Sequence, residues 1–229
     1  MNWNQLNQTI ADCNQCSRLR EHCQKVAENK RAAYRDQTYW GRPVPNLGHA
    51  DARLLIVGLA PAAHGANRTG RMFTGDKSGD FLFASLFRTG WANQAHSNDR
   101  NDGLQLIDAC ITAAVHCAPP ANKPTLKEER LCFPYLQKTV ALMPRLTIVL
   151  ALGGIGFKAC LALYRDQNWQ FTKKPIFGHG VWAKPEQGPI LLGSYHPSQQ
   201  NTFTGRLTPE MLDQVLQLAR ELTKKNPGM

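Results

Sequence analysis

The sequence predicts an α/β protein: a three-layer α/β/α fold with a central four-stranded parallel sheet and an N-terminal helical arm. Two observations predict it. Apolar segments of strand length recur along the chain, and helical patterns separate them. The apolar segments cover residues 53–58, 111–116, 146–152 and 189–195. Because nearly continuous apolar strands are typical of sheets buried on both faces, we expect helices on both sides of this sheet.

The helical patterns include two starts with recognisable capping signals. Thr125 is followed three residues later by Glu128, as in a capping box. Thr208 precedes Pro209, which suits an N-cap residue followed by proline at the first helical position. The predicted helices cover residues 79–87, 126–143, 155–164 and 209–224.

The chain length favours a single domain spanning residues 1–229, because 229 residues suffice for one well-buried core and are few for two. No repeat or linker is evident in the sequence. The first 50 residues are expected to form the arm, helical from residue 6 to about residue 29 and irregular over 38–50.

The composition favours a polyanionic partner, since 27 Lys and Arg against 17 Asp and Glu give a formal charge of +10. A basic surface that serves only solubility is the alternative. No apolar run is long enough to cross a membrane, and the first residues lack the pattern of a secretory signal. We therefore expect a cytoplasmic protein without a membrane partner, whose seven cysteines are reduced.

Three unusual loops each follow a predicted strand: residues 59–80, 117–124 and 196–206. In open parallel sheets the functional site lies outside the carboxyl ends of the strands. The three loops should therefore converge on one edge of the sheet.

The first loop is glycine-rich, which permits close backbone approach to a ligand. Gly65 and Gly70 have the spacing of half a phosphate-binding P-loop, but Arg71 stands where that motif requires lysine, which excludes a nucleoside triphosphatase of this type. Phe73 suits stacking on a nucleobase or, alternatively, a core position beneath the loop. Asp76 is a candidate catalytic carboxylate or a helix cap.

The last loop begins with a histidine and continues with polar residues. His196 at a strand end suits hydrogen bonding to a developing anion, although a buried histidine bonded to backbone is the alternative. Ser198 and the amide side chains of residues 199–201 suit sugar, phosphate and base edges.

The cysteines include two pairs that suit four-thiolate ligation: Cys13 with Cys16, and Cys117 with Cys132. Spacing alone does not separate zinc from an iron–sulfur cluster. The remaining cysteines are Cys23, Cys110 and Cys160. Cys160 is expected to pack as a small apolar residue, and the other two stay unassigned.

Taken together, the loops resemble family 5 of the uracil-DNA glycosylase superfamily, the broad-specificity B-type enzymes of bacteria and archaea. The resemblance rests on GLAPAAHGANRTGR at 58–71, FTGD at 73–76, HCAPPANKP at 116–124 and HPSQQNTFTGRLT at 196–208. It implies a DNA repair enzyme that extrudes uracil from duplex DNA and hydrolyses its glycosidic bond. It also implies a 4Fe–4S cluster on the four paired cysteines, and a monomer is the default expectation.

The resemblance further implies roles for single residues. Phe73 would stack on the extruded base, His196 would stabilise that base as an anionic leaving group, and Asp76 would orient water or balance the sugar cation. The backbone around Ala60 and Ala62 would form part of the pocket. Ser198, Asn201 and Arg206 would hold the DNA strand and occupy the gap left by the extruded base.

The sequence departs from related families in two places. Leu59 and Ala60 are apolar where family 4 carries a glutamate, which leaves Asp76 as the favoured polar catalyst. Ala113 stands where many relatives place an asparagine that contacts uracil. The absence of that asparagine predicts activity on hypoxanthine, xanthine and alkylated or etheno-adducted pyrimidines such as ethenocytosine as well.

Two alternative functions remain. One is a non-catalytic iron–sulfur DNA-binding regulator, and the other, disfavoured by the broken P-loop, is a zinc-stabilised nucleotide hydrolase.

Overall fold

The computed structural model describes residues 1–225 and contains one mixed sheet of six strands, in the order β1-β3-β2-β4-β6-β5. The strands are β1 (Leu47–Gly48), β2 (Leu54–Gly58), β3 (Ala109–Ala113), β4 (Ile148–Leu152), β5 (Trp182–Ala183) and β6 (Ile190–Ser194). The four inner strands are parallel, as predicted. The strands β1 and β5 are antiparallel edges that the prediction missed, because two residues are too few to carry an alternating pattern.

Every residue of the four inner strands is buried, which explains their continuous apolar sequences. The strand β3 begins two residues before its predicted start and ends at Ala113 instead of His116. Beyond Ala113 the chain turns, and the N–H groups of Ala114 and Val115 donate to the carbonyls of Gly58 and Leu59.

Eight α-helices occur within residues 1–225. They are α1 (Trp3–Ala11), α2 (Ser17–Glu28), α3 (Ala66–Thr69), α4 (Lys77–Arg88), α5 (Leu126–Ala141), α6 (Gly153–Asp166), α7 (Gln199–Phe203) and α8 (Pro209–Lys225). None of the helices in this part of the chain is long and apolar enough to cross a membrane. The short helix α7 lies in the last loop, which the sequence analysis treated as irregular.

The helices cover both faces of the sheet, as predicted. On one face α4 and α8 contribute Leu82 and Leu216 to a core that also contains Ile56. On the other face α5 and α6 contribute Leu136 and Phe157 to a core built on neighbouring strand residues. Alternate strand residues therefore serve opposite cores, which is the period of two expected for strands.

The arm consists of two helices instead of the single helical stretch predicted for residues 6–29. The helix α1 ends at Ala11, and α2 begins at Ser17. The intervening residues include Asp12 and Asn14, whose short polar side chains compete with helical hydrogen bonding. The arm is held by a buried apolar cluster and by the Arg18 guanidinium, whose Nη2 lies 2.7 Å from the Glu128 carboxylate.

Both predicted capping signals are confirmed. The Thr125 hydroxyl accepts from the Glu128 N–H at 3.3 Å, and the Glu128 carboxylate accepts from the Thr125 N–H at 2.7 Å. The Thr208 hydroxyl accepts from the Met211 N–H at 3.3 Å, beside Pro209 at the first helical position. These caps fix the residues at which α5 and α8 begin.

Candidate active site

The carboxyl ends of the four inner strands open into a pocket with about 1240 Å³ of open space. All three loops expected to converge there reach it. The predicted site residues in its wall are Ala60, Ala62, Phe73, Asp76, His196 and Ser198. A larger groove of about 1370 Å³ lies beside residues that precede β4 and β6, at the amino ends of the strands.

Two predicted site residues do not line this pocket. Asn201 donates from Nδ2 to the backbone carbonyl of His196 at 2.8 Å, and so fixes the loop from within. The Arg206 guanidinium stacks on the Tyr195 ring, 4.7 Å from its centroid. Their predicted contacts with a DNA strand stay predictions.

Sequence reasoning missed the contribution of the segment that follows β4. Gly153, Gly154 and Ile155 begin α6 and line the pocket. The available signal was a glycine pair directly after a buried strand, which places backbone N–H groups at a helix start. Asn122 from the second loop also lines the pocket.

Phe73 has a left-handed backbone conformation with φ of +51°, which is rare for a residue with a large side chain. Its ring lies 5.9 Å from the His196 ring, with 33° between the planes. A Cβ at Gly58 would stand 3.1 Å from the Phe73 ring, so the glycine at the end of β2 makes room for it. The ring is partly buried and packs against the core while it lines the pocket.

Asp76 is both a helix cap and a residue of the pocket wall, so both roles considered for it remain open. It is the N-cap of α4, and its Oδ1 accepts from the Gly79 N–H at 2.9 Å. It also lines the pocket, and a Cβ at Gly65 would overlap its Oδ2. Burial raises the pKa of Asp76 above the ordinary value, although backbone hydrogen bonds from Gly79 and Ser78 oppose that shift.

His196 lies two residues beyond β6 with its side chain in the pocket wall. Burial lowers the pKa of His196 to about 4, because the charged imidazolium would lose its hydration. The ring is therefore neutral near pH 7, where a neutral imidazole donates from one nitrogen and accepts at the other.

A buried ion pair fixes the loop that carries Phe73. The Arg71 guanidinium donates to both Asp102 carboxylate oxygens, at 2.8 and 2.7 Å, and to the hydroxyls of Thr74 and Ser97, each at 2.9 Å. Burial alone would raise the pKa of Asp102, but the Arg71 hydrogen bonds and two backbone N–H groups hold that pKa well below its usual range. The strained backbone at Phe73 is thus held by its surroundings on both sides.

The four paired cysteines line a second, much smaller cavity between the arm and the residues after β3. The His116 N–H donates to the Cys132 sulfur at 3.3 Å. Within residues 1–225, no group of three or more His, Cys, Asp or Glu side chains is arranged to hold a single metal ion.

Of the remaining cysteines, two are buried elsewhere, and Cys23 lies in the same buried cluster as the paired cysteines. Cys160 packs in the core between the sheet and the helices α5 and α6, as predicted, and Cys110 joins the same core. Cys23 lies in the arm, where its sulfur is 3.7 Å from the Ala118 carbonyl.

The Arg71–Asp102 pair should dominate the stability of the pocket loop. Both side chains are only 8% exposed, so Asp102→Asn leaves a buried guanidinium without its counter-charge. We expect a loss of roughly 3 kcal/mol in the free energy of unfolding, measured by urea denaturation. The matched control is Asp213→Asn, which breaks a more exposed pair with Arg88 and should cost about 1 kcal/mol or less. Equal losses would contradict this account of the loop.

Comparisons with known proteins identify the family of the chain. The model of the uracil DNA glycosylase superfamily matches residues 45–220. A type-5 uracil-DNA glycosylase of Mycobacterium leprae is 52% identical over 95% of this chain and 94% of the relative. Those of Thermus thermophilus and Pyrobaculum aerophilum are 45% and 43% identical, over 94% and 92% of this chain and 95% and 88% of the relatives. The resemblance predicted from the loops is thereby confirmed: the chain belongs to the uracil DNA glycosylase superfamily and, within it, to the type-5 uracil-DNA glycosylases.

Proposed function

We propose that this protein is a DNA repair glycosylase that extrudes uracil from duplex DNA and hydrolyses its glycosidic bond, leaving an abasic site. The observation that carries the proposal is the pairing of an aromatic ring, Phe73, with a partly buried histidine of lowered pKa, His196, in one pocket. The names of the relatives support the same substrate. The charge of +10 suits a polyanionic partner.

In this mechanism the glycosidic bond breaks with both electrons leaving on the base. The base becomes an anion and the sugar an oxocarbenium-like cation, to which water then adds with loss of a proton. Phe73 stacks on the extruded base, and His196 donates a hydrogen bond from its ring N–H to the developing anion. A neutral imidazole suits this role because it donates a hydrogen bond to the anionic base and keeps its own proton.

Asp76 supplies the negative charge opposite the sugar cation. Backbone N–H groups of Ser78 and Gly79 fix its carboxylate, so the charge need not reorient as the cation forms. Because the Asp76 carboxylate is held in this way, we assign it to electrostatic stabilisation of the sugar cation and orientation of the water. A role as a mobile general base is less well supported.

His196→Ala is the direct test of the proposed function. We expect uracil release from an end-labelled duplex, detected as alkali-sensitive abasic sites, to fall by about 10²–10³-fold, as when one donor to a developing oxyanion is removed. The matched control is His49→Ala, since His49 is exposed and lies in a separate groove. Wild-type protein that binds duplex but releases no base would contradict the proposal and favour the regulator alternative.

The pH dependence should report Asp76. The carboxylate acts when ionised and its pKa is raised, so the rate should fall as the pH drops through a value above that of free aspartate. Asp76→Asn keeps the helix cap but removes the charge, and should lower the rate by roughly a hundredfold and remove the part of the acid limb that Asp76 causes. Single-turnover rates across the pH range measure both effects, and any limb that remains should follow His196, with a pKa of about 4. An acid limb that keeps its wild-type midpoint in Asp76→Asn would contradict the assignment.

The pocket should also accept other damaged bases. Ala113 lies in the pocket wall and offers no side-chain hydrogen bond to discriminate a base edge. We therefore expect release of hypoxanthine, xanthine and ethenocytosine as well as uracil, measured on duplexes that each carry one such base. Ala113→Asn should narrow this range towards uracil. Efficient uracil release with no detectable activity on inosine and ethenocytosine would contradict a permissive pocket.

We propose that Cys13, Cys16, Cys117 and Cys132 hold a 4Fe–4S cluster. The support is that four thiols share one cavity and that a backbone N–H already donates to the Cys132 sulfur. The cluster would join the arm to the residues after β3, outside the pocket, which suggests a structural role.

Substitution of one ligand tests the cluster. Cys117→Ala should lose most of the bound iron and acid-labile sulfide and the broad visible absorbance that dithionite bleaches. Cys160→Ala, which removes a buried thiol outside the cavity, should keep all three. A colourless wild-type protein with stoichiometric zinc would contradict the proposal.

A further inference from the structure

Ile176 is an isoleucine on a loop that leads to the edge strand β5, and its side chain is 81% exposed. Single exposed apolar residues are common and need no explanation by themselves. What distinguishes Ile176 is that the partly buried residue after it, Phe177, packs beside the pocket wall, and that two exposed lysines precede it, Lys173 and Lys174.

The residues after Ile176 anchor the loop to the pocket rim. The Phe177 ring packs against those of Phe157 and Tyr195, with centroids 5.4 and 6.2 Å away. A Cβ at Gly154, a residue of the pocket wall, would stand 3.9 Å from the Phe177 ring. Phe177, the residue next to Ile176, therefore packs against the pocket wall.

His179 fixes the loop from its other end. Its ring stacks on Tyr195 with centroids 5.0 Å apart, and its Nδ1 accepts from the Tyr195 N–H at 3.2 Å. Its Nε2 lies 3.2 Å from the Met211 carbonyl. Pro175 restricts the backbone on the near side of Ile176. An exposed apolar tip on so constrained a loop loses little conformational entropy on binding.

The charges beside the tip indicate the class of partner. Lys173 and Lys174 are exposed, and within residues 1–225 neither forms an ion pair with a carboxylate. Two cations next to an apolar tip match duplex DNA, in which phosphates border stacked bases. Proteins that kink or unstack DNA insert isoleucine, leucine or proline at a base step and contact the adjoining phosphates with lysine or arginine.

We propose that residues 173–176 are a DNA-contacting element of this protein, in which Ile176 presses on a base step beside the extruded nucleotide and the two lysines contact phosphates. The inference rests on the proposed function for the position of the extruded base. The element helps to open the duplex, so it matters for paired substrates and is dispensable for uracil in single-stranded DNA, which is already unstacked.

Ile176→Ser tests the apolar contact. Single-turnover uracil release from duplex should fall about tenfold, and release from a single-stranded oligonucleotide should change less than about twofold. A loss of folding or of pocket geometry would lower both rates together. The ratio of the duplex rate to the single-strand rate therefore reports the contribution of residues 173–176 alone. The matched control is Ile107→Ser, since Ile107 is 47% exposed and lies just before β3, at the opposite end of the sheet.

Lys173→Ala with Lys174→Ala tests the phosphate contacts. The probe is a duplex that carries a stable abasic-site analogue, and the slope of log affinity against log salt should decrease by about 2, or about 1 for each lysine. The control is Lys224→Ala with Lys225→Ala, because Lys225 lines the groove at the amino ends of the strands. That control should leave the slope closer to wild type than the test pair does.

The outcomes separate this inference from the proposed function. Wild-type protein that releases no base from either substrate would refute the proposed function, while the salt slope would still decide whether the lysines contact DNA. If the wild type is active and Ile176→Ser matches Ile107→Ser in its ratio of duplex to single-strand rates, Ile176 is not a wedge and the inference is wrong. An unchanged salt slope in the double lysine variant would also overturn it.

Discussion

The parallel pairing of four fully buried strands is the constraint on which the rest of the structure depends. The register pairs Gly58 with Ala113 and Leu152 with Ser194, so these strands end together at one edge. With both faces covered by helices, polar chemistry is confined to the loops beyond that edge. Gly58 has a further function there, since it leaves room for the Phe73 ring. A sheet built for burial thus determines where a base can be held.

The same burial determines the electrostatics of the pocket. It lowers the pKa of His196 and raises that of Asp76, in each case because the charged form would lose hydration. The glycine-rich loop that carries Asp76 also places Phe73 in an unfavourable backbone conformation, and the buried pair of Arg71 and Asp102 holds it there. Backbone strain, desolvation and a buried, hydrogen-bonded ion pair occur together, as is typical where a fold is adapted to a ligand instead of to stability alone.

The sequence predicted those features that depend on local patterns. Buried strands require continuous apolar segments, and capped helices require residues such as Thr125 at their starts, so both were predicted correctly. The break in the arm near Asp12 was missed because a short polar interruption hardly alters a helical pattern. Contacts between distant segments leave no local signal. No spacing links Arg71 to Asp102, and no motif indicates that Asn201 bonds to the loop backbone while Ile176 stays exposed.

The central claim is that desolvation keeps His196 neutral in the pocket wall, where it can donate a hydrogen bond to an anionic base. Histidine-selective NMR with isotope-labelled protein measures this directly, with the His196 signal identified by its loss in His196→Gln. The account predicts that this imidazole stays neutral near pH 7 and titrates only near a pKa of about 4. An ordinary titration near pH 6.5, the value for a hydrated histidine, would mean that water fills the pocket and would contradict the account.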